Sequence, residues 1–176
     1  MNKRTALTVR ETVIFSMLGA IMFTSKILME GLPNIHLVGM LTMTYTLVYR
    51  KKALIPIYVF VMLNGLYTGF SVWCIPYLYV WTVLWAATML IPQKISKNAT
   101  RVLCCIICGL HGLLFGVLYA PVQALLFGMN FKATLAWIAA GLSFDIIHAV
   151  GNLVVGILIL PLADLIGRLD SRTHVH

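Results

Sequence analysis

The sequence predicts an all-α membrane protein: one domain over residues 1–176, with six transmembrane helices and both termini in the cytoplasm. Three observations predict it. Of the 176 residues, 61% are hydrophobic and 10% charged, against about 25% charged in a soluble domain. Water cannot be the main solvent of such a surface. Apolar stretches recur at the ~17–25 residues needed to cross ~30 Å of hydrocarbon. The cations also alternate along the chain. Lys3, Arg4 and Arg10 precede the first stretch, and Arg50, Lys51 and Lys52 separate the second from the third. Lys94, Lys97 and Arg101 separate the fourth from the fifth, and Arg168 and Arg172 follow the last. Only Lys26 and Lys132 break this pattern, which is that of cytoplasmic loops. The net charge of +8 is therefore a topology signal. Its counter-surface is the anionic headgroups of a lipid bilayer, and no nucleic-acid partner is expected.

The elements follow in order. Helix one is expected over about 11–29. Its basic start is not read as a cleaved signal, because Ser16, Thr24, Ser25 and Lys26 interrupt the apolar stretch. Glu30 to Asn34 form a short outer turn with Gly31 and Pro33 as breakers. Helix two, about 35–49, is short for a span, so the neighbouring turn is expected to dip into protein-lined depth. Helix three covers about 53–70 with Pro56 near its start, and an outer turn runs from Ser71 to Pro76. Helix four covers about 76–91 and stops at Pro92, ahead of a polar basic loop over 93–101. Helix five takes about 102–127, with a kink or break at Pro121. Residues 132–166 would make a helix of about 50 Å, longer than the bilayer core. A split at Gly141 gives a surface helix over 132–140 and helix six over 142–163.

Three constellations carry chemistry. On helix one, Ser16, Ala20 and Thr24 recur every fourth residue beside Gly19, a flat stripe for close helix packing. The stripe packs either within this chain or against a separate membrane protein. On helix six, Asp145, His148 and Asn152 share one face. A carboxylate in hydrocarbon costs several kcal/mol unless paired or hydrated, so the three face the interior. Either Asp145 and His148 satisfy each other, or the face reaches a ligand cavity. On helix four, Tyr77, Trp81 and Trp85 form a ladder from surface to midplane, with Tyr67 at similar depth and polar Asn64 and Gln123 nearby. Aromatic walls with a few polar groups are what a pocket for an organic ligand needs, and plain core packing is the alternative for each ring.

Absences bound the function as well. The sequence has no phosphate-binding Gly-x-x-x-x-Gly-Lys-Ser/Thr, no Gly-x-Ser-x-Gly and no His-Glu-x-x-His. Ser143 and Asp145 are two apart and point away from each other, so no enzyme is expected. Cys104, Cys105 and Cys108 have no further Cys or His close in sequence to complete a tetrahedron. They read as reduced, helix-packed thiols, and no metal or cofactor is expected. Haem ligation by His111 and His148 is disfavoured because the two fall at opposite estimated depths.

Particular stretches carry a family resemblance. They are Ser16-x-x-x-Ala20, Leu32-Pro33-Asn34 before an apolar run ending in Arg50-Lys51-Lys52, the run Tyr77 to Thr82, and Phe144 to Asn152. With the chain's size and topology, they resemble the substrate-specific S component of an energy-coupling factor transporter, an ABC-type vitamin importer. The resemblance implies a non-enzymatic, multi-pass subunit of the bacterial plasma membrane. It would capture a vitamin outside, beneath a cap mapped to Glu30–His36, and release it inward when docked on a membrane scaffold subunit driven by two cytoplasmic ATPases. It implies docking through Ser16, Ala20 and Thr24. It implies a pocket built from Asn34, His36, Asn64, Tyr67, Tyr77, Trp81, Trp85, Gln123, Asp145, His148 and Asn152. The cobalamin-specific members look most similar, with pantothenate, folate and queuosine precursors as alternatives. A small intramembrane enzyme using Asp145 and His148, and a stand-alone channel or carrier, are the rival readings.

Overall fold

In the computed structural model, residues 7–32 and 34–172 are described. Lys3, Arg4, Pro33 and the side chain of Arg172 lie outside them. The described residues form eight α-helices and two short 3-10 turns, with no strand among them.

Helix α1 (Val9–Leu28) opens with a capping box in which Thr8 and Glu11 satisfy each other's backbone N–H. Helix α2 (Val38–Tyr49) has every residue from Val38 to Thr46 buried, as expected of a helix apolar on all sides. It is the central post, packed on α4 and α8. Residues 35–37 stay outside it, so the turn from Met29 to Leu37 is longer than the sequence indicates. Arg50 leaves α2 at φ 53 and begins a 3-10 turn to Ala53. Helix α3 (Leu54–Thr68) tolerates Pro56 in its first turn and stops at left-handed Gly69. It packs along α1. A second 3-10 turn (Val72–Cys74) leads into α4 (Tyr77–Met89).

Three expectations are corrected beyond α4. Helix α5 (Lys97–Leu113) starts inside the segment expected to be loop, because the Ser96 hydroxyl accepts from the Ala99 N–H and caps it. The interruption of the fifth span falls at Leu114, and Pro121 lies within α6 (Phe115–Phe127). Helix α7 (Phe131–Gly156) runs unbroken through Gly141. A lone helical glycine costs only ~1 kcal/mol relative to alanine, and nothing crowds Gly141. The break comes after Gly156, where an added Cβ would stand 3.2 Å from the Cys105 Cα. Helix α8 (Ile159–Arg172) follows as a separate element, seating Ile159 and Ala163 in the core.

Four segments are long and apolar enough to cross a membrane: Val9–Leu28, Val72–Met89, Lys97–Phe127 and Phe131–Gly156. Helices α2, α3 and α8, at 12, 15 and 14 residues, fall short of the ~17–25 a perpendicular span needs. Ion pairs gather one end of the bundle. Arg10 meets Asp170 at 2.9 Å, tying the start of α1 to the end of α8. Lys97 meets Asp164 at 3.0 Å, and Lys52 pairs with Glu11. Arg50 donates to the Met89 carbonyl at 3.1 Å. Among the described residues, Arg10, Arg50, Lys52 and Lys97 thus share one end.

Candidate ligand site

The opposite end holds a different chemistry. The turn between α1 and α2 folds over a cavity of about 220 Å³ whose lining includes Lys26, Glu30, Asn34, His36, Tyr77 and Phe115. Asn34 takes φ 54, a left-handed conformation that Asn tolerates better than most residues, and this reverses the chain toward His36. Beneath the cavity lies a cluster of rings. His36 packs edge-on against His148 at 4.8 Å and Trp81 at 5.9 Å. Trp81 also meets Tyr77 at 5.5 Å and His111 at 5.6 Å. Phe115 meets His148 at 4.9 Å.

Buried polar atoms normally have partners. Here four ring nitrogens lack one among the described residues: His36 Nδ1, Trp81 Nε1, His111 Nδ1 and His148 Nε2. Trp81 and His148 are each 1% exposed, so water at the surface does not satisfy them. Asn64 on α3 is also buried, with its Oδ1 unpaired. Each such atom costs about 1–3 kcal/mol.

The helix break at Leu114 positions this cluster. In a continuous helix the Gly116 N–H would donate to the residue 112 carbonyl. Instead it donates to both carboxylate oxygens of Asp145 at 3.2 Å. The carboxylate therefore caps α6 from α7, where a negative charge also suits the helix dipole. Phe115, the first residue after the break, is turned into the cluster. Asp145 is thus occupied, and the expected alternative in which it satisfies His148 is not what is seen. Asn152 donates to the Cys108 carbonyl at 3.1 Å and stitches α7 to α5. Gly112 lets these helices touch, since an added Cβ would lie 2.9 Å from the Ala149 nitrogen.

The other expected pocket residues divide. Tyr77, Trp81, His36 and His148 are brought together. Trp85 leaves the ladder, because its Nε1 donates to the Arg50 carbonyl at 3.0 Å. Tyr67 is exposed beside Glu30, 3.5 Å away, and packs on Phe23. Gln123 is half-buried on α6, with no ring or polar contact to the cluster among the described residues. His111 and Phe115 escaped the expected pocket, although the spacing of four that places them on one face was visible. His111 and His148 both touch Phe115, so they are not separated in depth as expected. The four cysteines are free thiols, and no group of three or more ligating side chains is arranged for a metal among the described residues.

Helix α1 separates two faces. Gly19 is pressed on α3, where its Cβ would meet Val59 at 2.5 Å. Ser16, Ala20 and Thr24 are exposed on the other face, and Ala20 and Thr24 line a shallow apolar groove with Met17, Ile21 and Leu28. The stripe is therefore not used for packing within this chain. In comparisons with known proteins, no family model, curated protein or solved structure matches this chain.

Proposed function

We propose that the chain is the substrate-binding subunit of an energy-coupling factor importer. On this reading it lies in the bacterial plasma membrane and captures a small organic molecule of the vitamin class from outside. The observation that carries the reading is the group of ring nitrogens, unpaired among the described residues, buried under the turn between α1 and α2. A bundle stabilised for its own sake gains nothing from leaving four polar atoms without partners at about 1–3 kcal/mol each. A ligand that bonds to them turns that cost into affinity and selectivity.

Further features support the reading. The described cations Arg10, Arg50, Lys52 and Lys97 share one end, as cytoplasmic loops would, and the cavity opens at the other. Six passes follow if α2 and α3 cross as short helices enclosed by their neighbours, with α5 and α6 together forming one interrupted pass. Such an interruption is tolerated at depth when its polar groups are satisfied by protein, and Asp145 does this for Gly116. The exposed stripe of Ser16, Ala20 and Thr24 offers the scaffold subunit a flat approach. The driving force would come from that scaffold and its two ATPases, because this chain has no phosphate-binding loop. An enzymatic role for Asp145 and His148 has less support, since the carboxylate is engaged by Gly116.

Cobalamin is the ligand the resemblance puts first. The cavity of about 220 Å³ is below the ~300–1,000 Å³ that drug-sized ligands occupy, so a corrinoid would have to displace the turn. Uptake in cells co-expressing the scaffold and ATPases tests the whole reading. Import that requires all subunits supports it, whereas import by the purified chain alone in liposomes refutes it. Cysteine labelling near residues 34 and 51 tests the orientation. The substitution Ala20→Trp is expected to abolish co-purification with the scaffold while leaving ligand capture unchanged, and equal loss of both would remove the docking role.

A further inference from the structure

Resting on that reading, we infer that the captured molecule is a small zwitterion with an apolar body, its anionic group held by Lys26, its ammonium by Glu30 and its body between Tyr77 and Phe115. All four residues line the cavity beneath the turn between α1 and α2.

The charges are the first observation. At the other end of the bundle, Arg10, Lys52 and Lys97 all pair with carboxylates. Lys26 and Glu30 border one cavity, yet among the described residues neither forms an ion pair. They are four apart in sequence, a spacing that brings side chains together on a helix. Helix α1 ends at Leu28, however, and Glu30 leaves its line within the turn. Among the described residues Glu30 accepts only the Tyr67 hydroxyl, at 3.5 Å, long for a hydrogen bond. Lys26 is half-buried. It is also one of the two cations that break the charge alternation, so the topology that places the others does not account for it.

Size and surroundings are the second. The volume of about 220 Å³ equals roughly seven waters at ~30 Å³ each, the size class of a free amino acid. A compact space of that volume is only about 7 Å across, within the ~8 Å Debye length, so a guest feels both charges at once. An anion alone is repelled by Glu30 and a cation alone by Lys26, whereas a zwitterion meets an opposite charge at each end. Tyr77 and Phe115 supply apolar walls, and ligand pockets combine such walls with a few placed polar groups. His36 also borders the cavity, and its buried Nδ1 has no partner among the described residues. Burial first, and then the Lys26 ammonium, push its imidazole down to about 4. At neutral pH it therefore offers a hydrogen bond and adds no third charge.

The test uses full-length protein in lipid nanodiscs and isothermal titration. The probes are the zwitterions L-phenylalanine, 4-aminomethylbenzoate and 5-aminovalerate, the single ions 3-phenylpropionate and 2-phenylethylamine, and cyanocobalamin. At least one zwitterion is expected to saturate a single site at about 100 µM or tighter, and to bind about tenfold or more tightly than either single ion. Lys26→Gln should weaken the zwitterion about tenfold and leave 2-phenylethylamine no weaker. Glu30→Gln should weaken the zwitterion likewise and leave 3-phenylpropionate no weaker, with monodisperse elution confirming folded protein. A single ion binding as tightly as the best zwitterion would overturn the amphoteric class, as would zwitterion affinity indifferent to both variants. Saturation by cyanocobalamin alone would overturn it too and leave the capture role standing. Binding of none of the six would also overturn it, the capture role then being decided by the uptake experiment.

Discussion

Trp85 and Trp81 stand one turn apart on α4 in opposite chemical settings. The Trp85 indole donates to the Arg50 carbonyl, within the end of the bundle where Arg10, Lys52 and Lys97 all have carboxylate partners. The Trp81 indole is more deeply buried and donates to nothing among the described residues. Three histidine nitrogens around it share that condition. The charged end is closed on itself, and its polar groups maintain architecture. The aromatic end is tightly packed, yet these four ring nitrogens have no hydrogen-bond partner among the described residues. A single helix thus carries one tryptophan whose indole is bonded and one whose indole has no partner among the described residues, and sequence spacing alone makes them look alike.

The sharpest way to break this contrast is to attack what holds the aromatic end rigid. Gly112→Val drives a side chain into the α7 backbone, where even a Cβ would lie 2.9 Å from Ala149 N and His148 C. Backbone cannot yield as a flexible side chain can. Overpacking typically costs 1–3 kcal/mol, occasionally more, and a loss of about 3 kcal/mol or more is expected here. Denaturation in mixed micelles should report it, together with loss of ligand binding. A fully stable Gly112→Val variant would mean that α5 and α7 are not in contact as described.

Next in size is the cap on α6. Asp145→Ala removes the acceptor of the half-buried Gly116 N–H, an expected loss of about 1 kcal/mol. Asp145→Asn keeps an acceptor oxygen and should lose less. The same denaturation assay separates the two variants. If both leave stability unchanged while abolishing ligand capture, Asp145 belongs to the recognition end and the division drawn above is misplaced.

These residues also show how far the sequence could be read. Period, length and charge alternation were enough for an all-helical chain with long apolar segments, since hydrocarbon thickness and backbone hydrogen bonding leave few other solutions. The break in the fifth span was misread because Pro121 is a local signal, whereas the Leu114 break depends on Asp145, some thirty residues away. Gly141 misled for the reverse reason: a glycine permits a break but does not impose one. Within the site, Tyr77, Trp81 and His148 are legible as aromatic or ionisable residues on helix faces, whereas His36 enters only through the cap that the resemblance implies. Trp85 was not separable from them, because its partner is a backbone carbonyl whose position follows from the unusual conformation of Arg50. Pairing status separates the two tryptophans, and it is a property of tertiary structure.

An effect of similar size tests the contrast directly within α4. Trp85→Phe removes a donor with a partner and should lower stability by about 1 kcal/mol for the hydrogen bond, leaving the affinity for any captured ligand unchanged. Trp81→Phe removes a donor with no partner among the described residues, so it should relieve a desolvation cost of about 1–3 kcal/mol while its loss appears in affinity. Measuring both variants by denaturation and by titration gives a two-by-two comparison. A Trp85→Phe variant that loses affinity as strongly as Trp81→Phe would erase the distinction between the ends.

The smallest effect belongs to the charged end itself. Lys97 and Asp164 meet at 3.0 Å, but their side chains are 77% and 39% exposed. Pairs so accessible to water contribute ~0–1 kcal/mol, and salt weakens them over a Debye length of about 8 Å. Lys97→Gln, Asp164→Asn and the double variant should therefore give a coupling energy below about 1 kcal/mol that shrinks as ionic strength rises. The pairing also joins the start of α5 to α8, two helices that touch through other residues as well. If position matters more than energy at this end, the double variant should retain its melting temperature yet show altered cross-linking between residues 97 and 164. A large, salt-independent coupling would instead place the pair in a drier environment than an exposed bundle end provides, and would move this end of the molecule deeper into the bilayer than its charge pattern implies.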